Sequence, residues 1–259
     1  MITPNSDASV WLFDFDNTLA ALEREVDWLA ARRELEAALR AMGVAAKIFA
    51  EIPAGNLPLY AALHARWLGA GASLPLVVGG VAADRGPSDR PAAEAVLARA
   101  STIIEGYELA GVDRAAPTAG AIDLLTALAA RGNAIVIVTS NSSRTVGRWL
   151  ERNRATGLIR AIVGRDSGLA LKPSPAMVGR ALELCAAAPA DAAFVGDSAA
   201  DWGAACAAGV GFYGVAASAS ARDRLLAAGA GAIFAAPAAL HIGLNLPAAA
   251  IDPDSDEAN

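Results

Sequence analysis

Lysine is nearly absent from this 259-residue chain: of 21 basic residues only Lys47 and Lys172 are lysines, and the rest are arginines. Histidine is equally scarce, with His64 and His241 alone, so imidazole is not at hand for acid–base work or metal binding. The two cysteines, Cys185 and Cys206, lie in alanine-rich helical contexts and read as small buried residues in a reducing compartment, not as a disulfide or a metal pair. Net positive charge is missing as well: the formal charge is −6, which argues against a nucleic-acid partner, since phosphate contacts need a basic face. Long runs of bulky apolar residues are also missing. The uncharged stretches Trp202–Ala221 and Ala227–Ile251 are broken by Gly, Ser or Pro, and much of the 55% hydrophobic content is alanine. No basic segment followed by an apolar one opens the chain, so no membrane partner and a cytoplasmic location are expected.

What is present begins with Asp14-Phe15-Asp16-Asn17-Thr18, which follows the apolar run Val10-Trp11-Leu12-Phe13. The run reads as a buried strand, so paired carboxylates stand where a strand ends. Buried paired acids are costly unless a metal ion or a cationic partner compensates them. In open parallel α/β sheets, ligands bind beyond the carboxyl ends of the strands.

The pattern from Arg24 to Met42 is helical and stops at Gly43. Leu59–Leu68 and Ala92–Leu109 repeat that periodicity, around the Pro/Gly loop Asp84–Pro91 and the unassigned Leu74–Val81. From Pro117 the rhythm changes. Strands are expected at Ala134–Val138, Ile159–Val163, Ala192–Val195, Gly211–Val215 and Ala232–Phe234. Helices are expected at Thr118–Arg131, Arg144–Arg152, Pro175–Cys185, Ala199–Ala208, Ala221–Ala228 and Pro237–Leu240. Such alternation implies an α/β fold with a doubly wound parallel sheet. The first strand is separated from the others by a stretch far longer than an ordinary connection. Residues 1–20 and 115–250 are therefore expected to form the core, 21–114 an inserted helical cap over the paired acids, and 251–259 a disordered acidic tail.

Four groups fall at strand ends: Asp14 with Asp16, the hydroxyls around Ser140, the amine Lys172, and Asp197 with Asp201. Carboxylates suit Mg²⁺, which takes oxygen ligands together with water and substrate phosphate. A lysine and a hydroxyl nearby suit phosphate oxygens. Without a histidine, carboxylates have to serve as nucleophile and as acid and base.

In order and placement these motifs resemble the haloacid dehalogenase superfamily of phosphohydrolases, in particular phosphoglycolate phosphatase-like and β-phosphoglucomutase-like members with a helical cap. The resemblance spans about residues 14 to 240. It implies that Asp14 is the nucleophile that becomes an aspartyl-phosphate, and that Asp16 is the acid and then the base. It implies that Ser140, Asn141 and Lys172 bind the phosphoryl oxygens, with Thr139 as an alternative hydroxyl. It implies Mg²⁺ held by Asp14, Asp16 through its backbone carbonyl, and Asp197, with Asp201 contributing directly, through water or by orienting Lys172. The presence of Asp16 points to phosphate-ester chemistry, since relatives that dehalogenate lack an acid there. The partner implied is a small phosphorylated metabolite. A phosphomutase shares every core motif; a phospho-receiver domain and an inactive binding protein fit less well. Within the cap, His64, Arg66, Arg85 and Arg90 are candidates to read the leaving group or to be solvated charges, while Trp28 and Trp67 read as packing residues. Ala20-Ala21-Leu22-Glu23 departs from the short Asp-Ser or Asp-Thr step that follows the first motif in many capped relatives.

Overall fold

The computed structural model describes residues 5–52, 55–68 and 90–247. Six strands form one sheet: β1 (Val10–Phe13), β2 (Ala134–Val138), β3 (Ala161–Val163), β4 (Ala192–Gly196), β5 (Gly211–Val215) and β6 (Ala232–Phe234). Their order is β3-β2-β1-β4-β5-β6, and every pairing is parallel. The strands are apolar runs because both faces are covered. Val10 and Leu12 enter one layer with Val136, Val138, Phe194 and Phe212, whereas Trp11 and Phe13 enter the other with Ile135, Ile137, Val195 and Tyr213. That alternation is the two-residue period of the strand expressed in β1.

Helices cover the sheet on both sides. The first layer is closed by α7 (Ala176–Cys185), α8 (Ala199–Ala207) and α9 (Ala219–Ala228), through Met177, Ala204 and Leu225. The second is closed by α5 (Ala121–Ala130), α6 (Ser143–Arg152) and α10 (Pro237–Gly243), through Leu124, Trp149 and Leu240. The doubly wound sheet is the expected architecture. From β1 the chain winds outward through β2 and β3, then crosses back to β4. The strand order therefore reverses at β1 and β4, where a crevice opens beyond their carboxyl ends.

Between Ala20 and Pro117 the named elements of the described stretch are all helices. It holds α1 (Trp28–Ala41), α2 (Ala46–Glu51), α3 (Asn56–Leu68) and α4 (Arg90–Val112). Asp27 caps α1 by accepting from Ala30 N at 2.9 Å. Leu35, Leu39, Leu63 and Ile104 are buried together among these helices. The alanine-rich segment around Lys47 forms the short α2, set apart from α1 by Gly43 at φ +88°. The two ends of this stretch are fastened together. Ala21 N donates to Ala116 O at 2.9 Å, Thr118 N to Leu19 O at 2.9 Å, and Thr118 Oγ1 to Thr18 O at 2.6 Å. The insert thus leaves and re-enters the core at one point beside the first motif.

Residues 69–89, which contain Arg85, Leu74–Val81 and most of the Pro/Gly loop, and the acidic tail from 248 onward lie outside the described residues. Among the described residues both cysteines are free, and no helix is long and apolar enough to cross a membrane.

Trp149 joins α6 to the turn after β1. It is buried, stacks edge-on against Phe15 at 5.3 Å between centroids, and donates Nε1–H to Ala115 O at 2.9 Å. Trp149→Ala is expected to lower unfolding free energy by about 3–5 kcal/mol in urea titrations, from the cavity and the orphaned carbonyl. A loss below about 1 kcal/mol would show that this junction does not carry the packing described.

Candidate active site

The turn after β1 determines where its two acids point. Asp14 N continues the ladder by donating to Val195 O at 2.9 Å, so Asp14 stays in the plane of the sheet. The chain then turns sharply: Leu19 N reaches Phe15 O at 2.8 Å, and Asn17 N reaches Ala20 O at 2.7 Å. Asn17 adopts φ +60°, a left-handed backbone that asparagine tolerates better than most side chains. Its Nδ2 donates to Glu23 Oε2 at 2.7 Å, and Glu23 N donates to Asp16 Oδ1 at 2.8 Å. Glu23 therefore braces the half-buried Asp16, a role its place in the atypical Ala-Ala-Leu-Glu step did not announce.

Lys172 lies at the floor of the site. Its ammonium donates to Asp14 Oδ1 at 2.6 Å, to Asp201 Oδ1 at 2.5 Å and to Val138 O at 3.0 Å. Burial alone would lower its pKa, but the charges of Asp14 and Asp201 outweigh this and raise it, so Lys172 is a fixed cation. Burial pushes Asp14 up to about 6, with the charge of Asp201 adding to the shift and Lys172 opposing it. Asp16 is pushed up to about 7, again chiefly by burial, against the hydrogen bond from the Glu23 backbone. Asp197, just past β4, is pushed up to about 9 by burial and by the negative charges of Asp14 and Asp201.

One ammonium thus faces more carboxylates than it can neutralise. Carboxylate oxygens of Asp14, Asp197 and Asp201 lie within 4.8 Å of one another, a donor set that fits a hard divalent cation. Within that set the three differ. Asp201 is wholly buried and its oxygens are already engaged, Oδ1 by Lys172 and Oδ2 by Ser198 N at 3.0 Å and Ser198 Oγ at 2.6 Å. It forms a capping box with Ser198 at the start of α8. Asp201 therefore acts on Lys172, and Asp14 and Asp197 are the better placed to hold a cation. The Asp16 carboxylate stands outside the cluster and turns to Glu23. Gly196 makes the close packing possible, since a Cβ there would come within 2.6 Å of the Asp201 Cβ.

The second-strand loop separates its hydroxyls. Thr139 Oγ1 donates to Asn141 Oδ1 at 3.0 Å and accepts from Asn141 N at 3.1 Å, so it is consumed within the loop. Ser140 is half-buried and lines the cavity. Asn141 also lines the cavity, and its Nδ2 donates to Glu108 Oε1 at 3.0 Å, so its side chain braces the loop. The cavity beyond these groups encloses about 520 Å³. Its floor carries Asp14, Asp16, Ser140, Lys172 and Asp197; its outer wall carries Trp28, Asn56, Leu57 and Pro58 from the insert and Arg224 from α9.

Other expectations about the insert resolve differently. Trp28 lines this cavity while also packing on the core. Trp67 packs against the core, as read. His64 is buried at 3.1 Å from Gly168 O and borders a separate cavity. Arg66 pairs with Glu51 at 3.3 Å. Neither reaches the acids, because α3 presents Asn56 and Leu57 to the cavity at its other end. The side chain of Arg90 is outside the described residues. Asn56 and Arg224 went unread in the sequence: an Asn after a Pro/Gly loop and one Arg among 19 carry no local signal.

Residues 89–215 match the family model described as haloacid dehalogenase-like hydrolase. A phosphoglycolate phosphatase from Pseudomonas putida is 31% identical over 153 residues, which is 58% of this chain and 54% of that protein. The chain thus matches about half the length of that curated relative. Among solved structures, a hydrolase from Pseudomonas syringae aligns over 91% of this chain and 97% of its own at a TM-score of 0.58 and 22% identity. CbbY from Rhodobacter sphaeroides, solved in complex with phosphate, aligns over 92% of this chain and 100% of its own at a TM-score of 0.56 and 22% identity. At these identities the structures show the shared fold. The chain is thus similar to haloacid dehalogenase-like hydrolases over residues 89–215, and it shares the fold of the solved structures over most of its length.

Proposed function

We propose that the chain is a Mg²⁺-dependent phosphatase that hydrolyses a small phosphomonoester through an aspartyl-phosphate on Asp14. The observation that carries this reading is the arrangement at the cavity floor. Asp14 is held by the fixed cation Lys172, and a second acid with a pKa near neutrality, Asp16, stands two residues further on. Asp14 attacks phosphorus in line with the leaving oxygen, and Asp16 gives its proton to that oxygen as the P–O bond breaks. Asp16 then takes a proton from the water that cleaves the aspartyl-phosphate, which restores both carboxyl groups. Lys172 and the Ser140 hydroxyl are placed to hold phosphoryl oxygens as charge spreads over them. Asp14 and Asp197 would hold Mg²⁺, with the Asp16 carbonyl as a further ligand. The ion supplies positive charge against the phosphate and the crowded acids.

The Pseudomonas putida relative is a phosphoglycolate phosphatase, which supports this reading over a mutase. The outer wall bears on the leaving group. Arg224 stands there as a cation, and Asn56 Oδ1 is buried without a hydrogen-bond partner. An unpaired buried acceptor is costly unless a ligand supplies the donor. A leaving group with a hydroxyl donor and an anionic group fits this wall.

Asp14→Asn is expected to lower Mg²⁺-dependent turnover of p-nitrophenyl phosphate by at least about a thousandfold, with the melting temperature within a few degrees of wild type. Retained turnover would remove Asp14 as nucleophile, and absence of EDTA-sensitive turnover in the wild type would remove the phosphatase reading.

Metal-free protein should show the strain of the acids directly. Asp14, Asp16 and Asp197 have folded-state pKa values of about 6, 7 and 9, above their ordinary value of 3.8, so the folded state binds the extra protons. Their contribution is full below about pH 4 and is lost as pH rises toward about 9. The metal-free melting temperature is therefore expected to fall between pH 5 and 8, and Mg²⁺ to recover about 5 °C or more at pH 8. A rise over that interval in differential scanning fluorimetry, or no gain from Mg²⁺, would contradict the cluster as described.

Arg224→Ala is expected to raise KM about tenfold for a phosphomonoester with a carboxylate or second phosphate, and far less for p-nitrophenyl phosphate. Equal effects on both substrates would remove Arg224 from leaving-group recognition.

A further inference from the structure

Beneath the second-strand loop lies an ion pair that the chemistry above leaves unused. Glu108, on α4 of the insert, and Arg165, after β3, are both 0% exposed. Arg165 Nη1 donates to Glu108 Oε1 at 2.8 Å and Nη2 to Oε2 at 3.2 Å, a bidentate fork. The same carboxylate accepts from Asn141 Nδ2 at 3.0 Å, Ser142 N at 3.1 Å and Thr145 Oγ1 at 3.2 Å. Arg165 Nη1 also donates to Ser140 O at 2.7 Å, and its backbone N to Asn141 O at 2.9 Å. Its Nε is fixed by Ser101 Oγ at 3.1 Å.

Apolar contacts would join α4 to the core at less desolvation cost, and a buried ion pair is weak evidence for stability alone. The distribution of its bonds is more telling. They converge on consecutive residues, Ser140 through its carbonyl, Asn141 through its side chain and carbonyl, and Ser142 through its amide. Neighbouring residues bring the two loops closer still: Asp166 Oδ1 accepts from Ser143 N at 2.8 Å, and a Cβ on Gly164 would come within 2.7 Å of that same nitrogen. Of the residues gripped in this way, Ser140 carries the hydroxyl that lines the cavity.

We propose that Arg165 and Glu108 are positioning residues for phosphoryl transfer: their fork, anchored by Ser101, sets the backbone of Ser140 so that its hydroxyl meets the phosphoryl group. This rests on the phosphatase reading of the cavity. Neither residue touches substrate; both act through Ser140. Because Glu108 belongs to the insert, the phosphate-binding loop of the core is set by a residue of the helices above it.

A double-mutant cycle with p-nitrophenyl phosphate and Mg²⁺ tests the proposal. Arg165→Lys keeps the charge and loses the fork. It is expected to lower kcat about tenfold with KM changed less than about threefold, and to cost less than about twofold when Ser140 is already alanine. Ser101→Ala frees one arm of the guanidinium and is expected to lower kcat by about threefold, with the same dependence on Ser140. It carries the cycle if Arg165→Lys folds poorly. Losses that add independently of Ser140, or that follow melting temperature across the variants, overturn the proposal.

Amide hydrogen exchange needs no turnover and separates the two readings. Faster exchange at Ser142 and Ser143 in the variants, with β1 unchanged, supports the positioning role, and unchanged exchange there overturns it. A wild type without turnover would sink the phosphatase reading while exchange still decides whether the fork holds the loop.

Discussion

The Lys172 ammonium is the group on which the site depends. It comes to the end of β1 from a loop far along the chain and divides its donors among Asp14, Asp201 and the last carbonyl of β2. Without it, the carboxylates of Asp14, Asp197 and Asp201 would crowd together and lose the cation that both Asp14 and Asp201 contact. This arrangement also gives a reason for a lysine at this position of an arginine-rich chain. A guanidinium is planar and wide, whereas an ammonium is a compact charge that can reach three acceptors arranged around a point. The chain uses arginine almost everywhere else, including the buried fork at Glu108, where a planar group matches a carboxylate. The other lysine, Lys47, is exposed on α2.

The sheet was legible because its strands obey local rules. β1, β2, β5 and β6 have the bounds their apolar runs imply, and β4 differs by one residue. The acids were legible because a carboxylate straight after a buried strand is out of place unless it has work to do. What escaped were residues whose meaning lies in a partner distant in sequence. Glu108 sits in an alanine-rich helix with no local signal to mark it, and its partner Arg165 lies 57 residues on. Asn141 shares a polar loop with Ser140, and only the fold shows that its amide reaches Glu108 of the insert. His64 and Arg66 stood out by residue type, but the sequence could not say which end of α3 meets the site.

The two charged networks divide the work by exposure. The cluster around Lys172 opens on the cavity and keeps an excess of negative charge, which suits a cation and a phosphate arriving together. The fork around Glu108 is closed, balanced in charge and saturated with donors, which suits a part that must not move. They meet around the second-strand loop: Lys172 holds the last carbonyl of β2, at Val138, and Arg165 holds the carbonyl two residues later, at Ser140.

The fastening of the insert at Ala21–Ala116 and Leu19–Thr118 has an evolutionary consequence. A segment that departs and returns at one paired point can lengthen, shorten or change its lining without pulling on the strands beneath. Mutations there are filtered by what enters the cavity more than by whether the sheet forms. The lining of the cavity can therefore change while the strands that carry the acids keep their places. Glu108 marks the inner limit of that freedom, since its carboxylate ties the helices of the insert to the second-strand loop.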